Sequence, residues 1–223
     1  MESNFLDALL ELPLFQGLGK NDVNQIMETA QIDFVKCASG KCVAQQDTPC
    51  KGLIFLLKGT LTQHTYSDDH SYGFCERVSA PSVLQPESLY GLHPRYTHSY
   101  TAQTEAQIII VSKSSVNQVF MKYEVFRLNV INLLSTLVFR SQRLLWQAAA
   151  ENTEQHIMKF IHRHAQYPAG EKIVEITMEE LGRQLNDTRI NISKALNDMQ
   201  KRNLVLLRRK KIVVPALEKL PYK

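Results

Sequence analysis

Along residues 5–30 the apolar positions recur at helical intervals. Leu6, Leu9 and Leu10 share one face, and Val23, Ile26, Met27 and Ala30 repeat the pattern after Asn21. From Gln31 to Val111 the period shortens to two, in runs cut by Ser39-Gly40, Thr48-Pro49, Lys58-Gly59, Ser67-Asp68-Asp69, Ala80-Pro81 and Pro94. Short strands at such intervals predict an antiparallel β-roll or barrel. The helical period returns at about Ser114 and continues to Ala150 with no Gly or Pro, which predicts one long helix over 114–150. On it Val130, Leu134, Leu137, Ser141, Leu144 and Ala148 step by four and three as a coiled-coil seam. Ile131, Val138 and Leu145 form a second apolar line, and Asn129, Asn132, Thr136, Arg140, Arg143 and Gln147 a polar stripe. Two apolar faces predict a helix that packs on its own roll and on the same helix of a second copy; burial within one chain is the alternative.

The C-terminal pattern is sharper. Ile173–Ile176 alternates apolar with polar residues and predicts a strand. Thr177 is an N-cap with Glu180 three residues on, a capping-box spacing, and Leu181 and Leu185 follow on one helix face until Asn186-Asp187 ends it. Asp187 or Thr188 caps a second helix with Ile192, Ala195, Leu196 and Met199 on its buried side. That leaves Arg189, Ile190, Asn191, Lys194 and Asn197 facing outward near its N-terminal half, the half that enters a major groove when a helix-turn-helix docks. Leu204–Leu207 and Ile212–Val214 then predict a hairpin with Arg208, Arg209, Lys210 and Lys211 at its tip, completing a winged helix-turn-helix.

Charge agrees with this division. The chain of 223 residues carries a net charge of +4, but residues 151–223 hold 14 Lys and Arg against 9 Asp and Glu, or +5. Residues 1–150 hold the remaining 12 against 13, or −1. A phosphate-binding footprint belongs on the C-terminal part, so the predicted domains are 1–150 and 151–223. Glu2, Asp7 and Glu11 stand where a signal peptide needs positive charge, and the apolar runs are too short to span a membrane, so a cytoplasmic protein is expected.

A β-roll, a long dimer-type helix and a basic winged helix-turn-helix, in that order, resemble the cyclic-AMP receptor protein (CRP/FNR) superfamily of bacterial transcription regulators from end to end. Thr177 through Met199 is similar to the family's helix-turn-helix, Lys211-Ile-Val-Val to its wing, and Leu53-Ile-Phe-Leu-Leu-Lys-Gly59 to a strand and turn of its cyclic-nucleotide-binding-like roll. The resemblance implies an α+β chain that reads double-stranded DNA as a homodimer on a near-palindromic operator and contacts RNA polymerase. It places Thr188 on phosphate and Arg189, Ile190 and Lys194 where the family reads bases with an Arg-Glu pair and a later Arg. Arg189 can still hold guanine bidentately, and Lys194 can donate with less directional control. Ile190 cannot accept from cytosine but can pack on a thymine methyl, so the operator departs from the family's best-known one.

The roll matches its family less well. The nearest equivalents of the nucleotide-holding residues are Glu87, Arg95 and Thr97, with Ser141 on the long helix where relatives contact adenine. Proline at 86 removes a backbone donor, and Tyr96 follows the arginine, so a small effector is expected that is not clearly cyclic AMP. Glu87 and Arg95 read equally as solvated loop charges, and a constitutive or redox-responsive regulator without small ligand is the alternative. Cys37, Cys42, Cys50 and Cys75 lack the grouping of a cluster-binding relative, and the seven histidines lack metal-ligand spacing, so no metal or cluster is expected. With no nucleophile elbow or phosphate loop, an enzyme is not expected. A protein-interaction module without DNA binding is the remaining reading, and it leaves the gathered positive charge unexplained.

Overall fold

The computed structural model of the chain describes residues 2–146 and 148–220, with side chains from Phe5 onward. Contacts divide it into two units, Met1–Leu61 with Val78–Leu145, and Thr62–Arg77 with Trp146–Lys223.

The first unit opens with helices α1 (Glu2–Leu10) and α2 (Lys20–Thr29) around a 3-10 turn at Pro13–Phe15. Strands β1 (Ile32–Cys37), β2 (Cys42–Ala44) and β3 (Gly52–Lys58) follow, and β6 (Ser82–Leu84), β7 (Ser99–Ala102) and β8 (Ala106–Ser112) complete it after β4 (Thr60–Tyr66) and β5 (Gly73–Ser79), which lie mostly in the second unit. One antiparallel sheet runs β1-β8-β3-β6, with Leu53 opposite Val111 and Phe55 opposite Ile109. In the other, β2 pairs antiparallel with β7. This is the predicted roll. Leu53, Ile54, Phe55 and Leu56 are all buried, because β3 is covered on both faces and so needs no alternation.

The long helix is shorter than its periodicity predicts. Helix α3 (Lys113–Gln118), capped by Ser112 accepting from the Ser115 N–H, is followed by a 3-10 turn at Phe120–Lys122 before α4 begins (Glu124–Leu145). Packing makes this break without Gly or Pro: Phe120 and Phe126, ring centroids 5.2 Å apart, both reach Phe15, at 6.1 and 5.6 Å. An unbroken helix places residues six apart on different faces, so only a turn gathers both rings. Asn129 also donates to the carbonyls of Leu14 and Gln16, at 3.1 and 2.8 Å, and seats the root of α4 on the Pro13–Phe15 turn. Since α4 stops at Leu145, Ala148 falls beyond it and the predicted seam shortens to Val130, Leu134, Leu137, Ser141 and Leu144; Gln147 lies outside the described residues.

The second unit adds α5 (Thr153–His164), β9 (Lys172–Glu175), α6 (Met178–Leu185), α7 (Arg189–Lys201), β10 (Leu206–Arg208) and β11 (Lys211–Val214). Its sheet runs β5-β9-β11-β10, all antiparallel, with Phe74 opposite Val174 and Val174 opposite Ile212. The predicted division at 150/151 assigns the β4–β5 hairpin to the roll, whereas Thr62–Arg77 groups with the C-terminal unit. Side-chain chemistry explains the allegiance. Phe74 enters a core with Ile157, Ile161, Val174, Leu181, Leu196 and Met199. Glu76 and Lys172, both completely buried, pair at 2.9 Å. The Glu76 carboxylate also accepts the N–H groups of Gln166 and Tyr167 at 2.8 and 3.2 Å, and Lys172 donates to the Ala169 carbonyl at 2.8 Å. Every charge taken from water there has a partner, as buried ions require.

Candidate nucleic-acid interface

The helix pair at 178–201 follows from local caps. The Thr177 hydroxyl accepts the Glu180 N–H at 3.1 Å and starts α6. The reciprocal half of the predicted capping box is replaced: the Glu180 carboxylate pairs with Arg183 at 2.9 Å and accepts from Gln184 at 2.9 Å. Asn186, at φ 53°, ends α6 in the left-handed conformation that asparagine tolerates. Gly182 makes the turn tight enough, since a Cβ there would lie 2.8 Å from the Asp187 carbonyl oxygen.

Thr188 caps α7 by accepting the Asn191 N–H at 3.2 Å, which leaves its hydroxyl proton to donate to a phosphate. Asp187 has another role: its carboxylate accepts from the Thr153 hydroxyl at 2.5 Å, the Asn191 amide at 2.8 Å and the Thr188 N–H at 2.7 Å. These hydrogen bonds, Thr153 first and Asn191 next, hold the Asp187 carboxyl below the usual carboxylate range. One amide hydrogen of Asn191 is thereby committed within the protein. Ile192, Leu196 and Met199 are buried and Ala195 half-buried, while Arg189, Asn191, Lys194 and Asn197 are exposed and Ile190 is 67% exposed. Asn197 turns back to donate to the Ser193 carbonyl at 2.8 Å.

The wing pairs Arg208 with Lys211 across a two-residue turn, Arg209-Lys210, with Lys210 at φ 57°. Arg208, Arg209 and Lys210 are exposed; the fourth cation of the predicted tip is not equivalent to them, because Lys211 pairs with Glu175 at 2.6 Å. The helix and wing together present a cationic surface of the kind that tracks a phosphate backbone and reaches base edges.

Residues 155–221 match the family model of the Crp-like helix-turn-helix domain. This part of the chain is a Crp-like helix-turn-helix domain. The whole chain shares its fold with the catabolite activator protein of Thermus thermophilus, at 15% identity and a TM-score of 0.55 over 91% of this chain and 93% of that one. A candidate CRP/FNR-family transcriptional regulator of Eubacterium rectale gives 17% identity and 0.54 over 93% and 95%. The c-di-GMP-responsive regulator CLP of Xanthomonas campestris gives 14% and 0.53 over 88% and 99%. No curated protein sequence matches. The resemblance to the CRP/FNR superfamily therefore holds for the C-terminal part, which is a Crp-like helix-turn-helix domain, and for the fold of the whole chain. Among the described residues, no helix is long and apolar enough to cross a membrane.

Away from the Crp-like domain, two of the predicted effector residues, Arg95 and Thr97, are already engaged. Glu87 stands in a 3-10 turn at Pro86–Leu89. Arg95 spends a guanidinium N–H on the Asp47 carbonyl. Thr97 meets an unpredicted residue, Gln85, whose buried amide oxygen accepts the Thr97 N–H at 2.7 Å, the Thr97 hydroxyl at 2.9 Å and the His98 N–H at 2.9 Å. Its amide nitrogen donates to the His98 carbonyl at 3.1 Å. Three donors that suit an anionic oxygen thus converge on a neutral one from the chain itself. Burial pushes the His98 imidazole down to about 4, so it adds no positive charge there at neutral pH. Ser141 is exposed on α4.

Along α4 the seam residues Val130, Leu134, Leu137 and Leu144 are half-buried, and the more exposed apolar line is the other one, with Ile131 at 57%, Val138 at 56% and Leu145 at 82%. Leu128 and Phe139 extend it. Sequence reasoning missed one further grouping, His64, Cys75 and Glu175, whose ligand-type atoms lie within 4.8 Å of one another. Burial outweighs the nearby carboxylate and lowers the His64 pKa, and mainly burial pushes the Cys75 thiol up to about 12. Strand alternation was the available signal, since 73, 75 and 175 fall on one face once β5 pairs with β9.

Proposed function

We propose that the protein is a homodimeric regulator that reads a near-palindromic operator with two copies of α7, Arg189 taking a guanine edge, Ile190 a thymine methyl and Lys194 a base or phosphate. The observation that carries this reading is the exposure of Arg189, Ile190 and Lys194 on the outer face of α7 in a Crp-like domain whose wing also exposes Arg208, Arg209 and Lys210. Thr188 and the wing cations are assigned to phosphate. Selection from random duplexes tests it: one enriched, two-fold symmetric motif is expected, and no enrichment at moderate salt overturns it. On the selected duplex Arg189→Ala is expected to lose about 1–3 kcal/mol and relax preference at one base pair, while Lys210→Ala weakens all duplexes alike and flattens the salt dependence. Equal loss on selected and random DNA for Arg189→Ala would remove its base-reading role.

The dimer is assigned to α4. An apolar line with residues more than half exposed at seven-residue spacing, beside a half-buried seam, fits the side of a coiled coil that meets a second copy. Sedimentation of the full chain is expected to give a dimer at micromolar concentration and a monomer for Ile131→Glu with Val138→Glu; a monomeric parent chain would sink this assignment. In the roll, Gln85 holds the donors that a cyclic phosphate would need, which favours an effector other than a cyclic nucleotide, or regulation without a small ligand.

A further inference from the structure

Strands β4, β5, β9 and β11 lie side by side in the second unit, and one face of them collects His64, Cys75, Glu175 and Lys211. The row that pairs Lys211 with Glu175 continues to Gly73, which has no side chain. Through that gap His64 reaches from β4 across β5: a Cβ on Gly73 would lie 2.9 Å from the His64 Nε2. This Nε2 approaches Glu175 Oε2 to 3.1 Å, yet it is buried and its geometry completes no hydrogen bond. Cys75, two residues from Gly73 on the same face, is free of disulfide and 9% exposed. The ring of Tyr66, 4.1 Å from that of His64, lies beside the cluster.

We propose that the Nε2 of His64, the Sγ of Cys75 and a carboxylate oxygen of Glu175 bind a divalent transition-metal ion of the zinc and cobalt type. The donor set decides the class: nitrogen, thiolate sulfur and carboxylate oxygen together suit a borderline ion and fit neither magnesium nor calcium, which take oxygen. Three protein ligands drawn from three strands leave a fourth position for water, and side-chain exposures of 23% for His64 and 28% for Glu175 leave solvent a way in. On binding, the Cys75 S–H bond breaks, its proton passes to water, and one metal–sulfur bond forms as the ion gives up bound waters. Thiolate and carboxylate then balance the two positive charges of the ion, and no oxidation or reduction occurs. The contraction required is modest, because the Nε2 and Oε2 atoms already stand about as close as two ligands of one tetrahedral ion.

The ion would compete with the Lys211 ammonium, 2.6 Å from the other Glu175 oxygen, and release a cation at the foot of the wing. That consequence rests on the DNA-reading assignment of the wing; the metal site does not.

Cobalt titration of the full chain under thiol-reducing conditions tests the site. The expected result is one equivalent of Co2+ with near-ultraviolet thiolate-to-cobalt charge transfer and visible bands of four-coordinate cobalt, both abolished by Zn2+. Cys75→Ser is expected to lose the charge-transfer band, whereas the triple variant Cys37→Ser, Cys42→Ser, Cys50→Ser keeps it. His64→Gln, at a strand position whose side chain is 23% exposed, and Glu175→Gln are each expected to weaken binding by about tenfold or more, with unchanged circular dichroism as the check on folding. No cobalt spectrum at millimolar Co2+, a charge-transfer band that survives Cys75→Ser, or full affinity in His64→Gln would each overturn the proposal. A DNA titration with and without Zn2+ is read separately: a metal site without effect on DNA leaves the site standing and removes only the link to Lys211.

Discussion

Glu76→Gln is expected to destabilise the second unit by about 3–5 kcal/mol, read as a lower urea midpoint in circular dichroism, because it removes one charge of a completely buried pair and leaves the other. Glutamine keeps the shape but only one oxygen, so of the N–H groups of Gln166, on Oε2, and Tyr167, on Oε1, one loses its acceptor, while the Lys172 ammonium keeps the Ala169 carbonyl and the Tyr167 ring but no counter-charge. Adding Lys172→Met to Glu76→Gln removes the stranded charge and is expected to recover most of the loss, since a removed ion pair is commonly neutral in net effect. A Glu76→Gln chain within about 1 kcal/mol of the parent would mean that water reaches the pair, against its burial.

Phe15→Ala is expected to cost the first unit about 3–5 kcal/mol. The ring is fully buried and touches Phe55, Phe120 and Phe126 at 5.5, 6.1 and 5.6 Å, so its removal opens a cavity bounded by three other aromatic groups. The turn that carries it also seats Asn129, and the damage therefore reaches the root of α4. Hydrogen exchange followed by mass spectrometry is expected to show faster exchange in Pro13–Phe15, the Phe120–Lys122 turn and the first turns of α4, with α6 and α7 unchanged. Phe34→Ala, at a ring 66% exposed, is the control and should move stability little. Uniform acceleration across both units, or none, would contradict the placement of Phe15 as a local keystone.

The helix-turn-helix was legible because each of its boundaries is set within four residues: Thr177, Asn186 and Thr188 act on their immediate neighbours, and Ile192, Leu196 and Met199 repeat at one period. The break before α4 was not, since it contains neither Gly nor Pro and comes from Phe120 and Phe126 both seeking Phe15, roughly a hundred residues earlier in the chain. The grouping of the β4–β5 hairpin with the C-terminal unit was hidden for the same reason. Nothing near Phe74 or Glu76 indicates that their partners are Val174 and Lys172; pairing across that separation is decided by tertiary contact. Gln85 escaped notice because a glutamine beside a proline reads as loop, and its role depends on the left-handed conformation, φ 43°, from which it reaches Thr97 and His98. His64, Cys75 and Glu175 show no ligand spacing along the chain and meet only when β5 pairs with β9.

The membership of Thr62–Arg77 in the second unit bears on how this protein can be cut. A DNA-reading fragment trimmed to 155–221, the span of the Crp-like match, would lack strand β5. It would expose the unpaired edge of β9, leave a gap where Phe74 fills the core, and strand Lys172 without Glu76. An open edge beside an apolar hole favours association between copies. Such a fragment should be prone to aggregate however well its helices are capped, and supplying residues 62–77 as a separate or fused strand should restore it to solution.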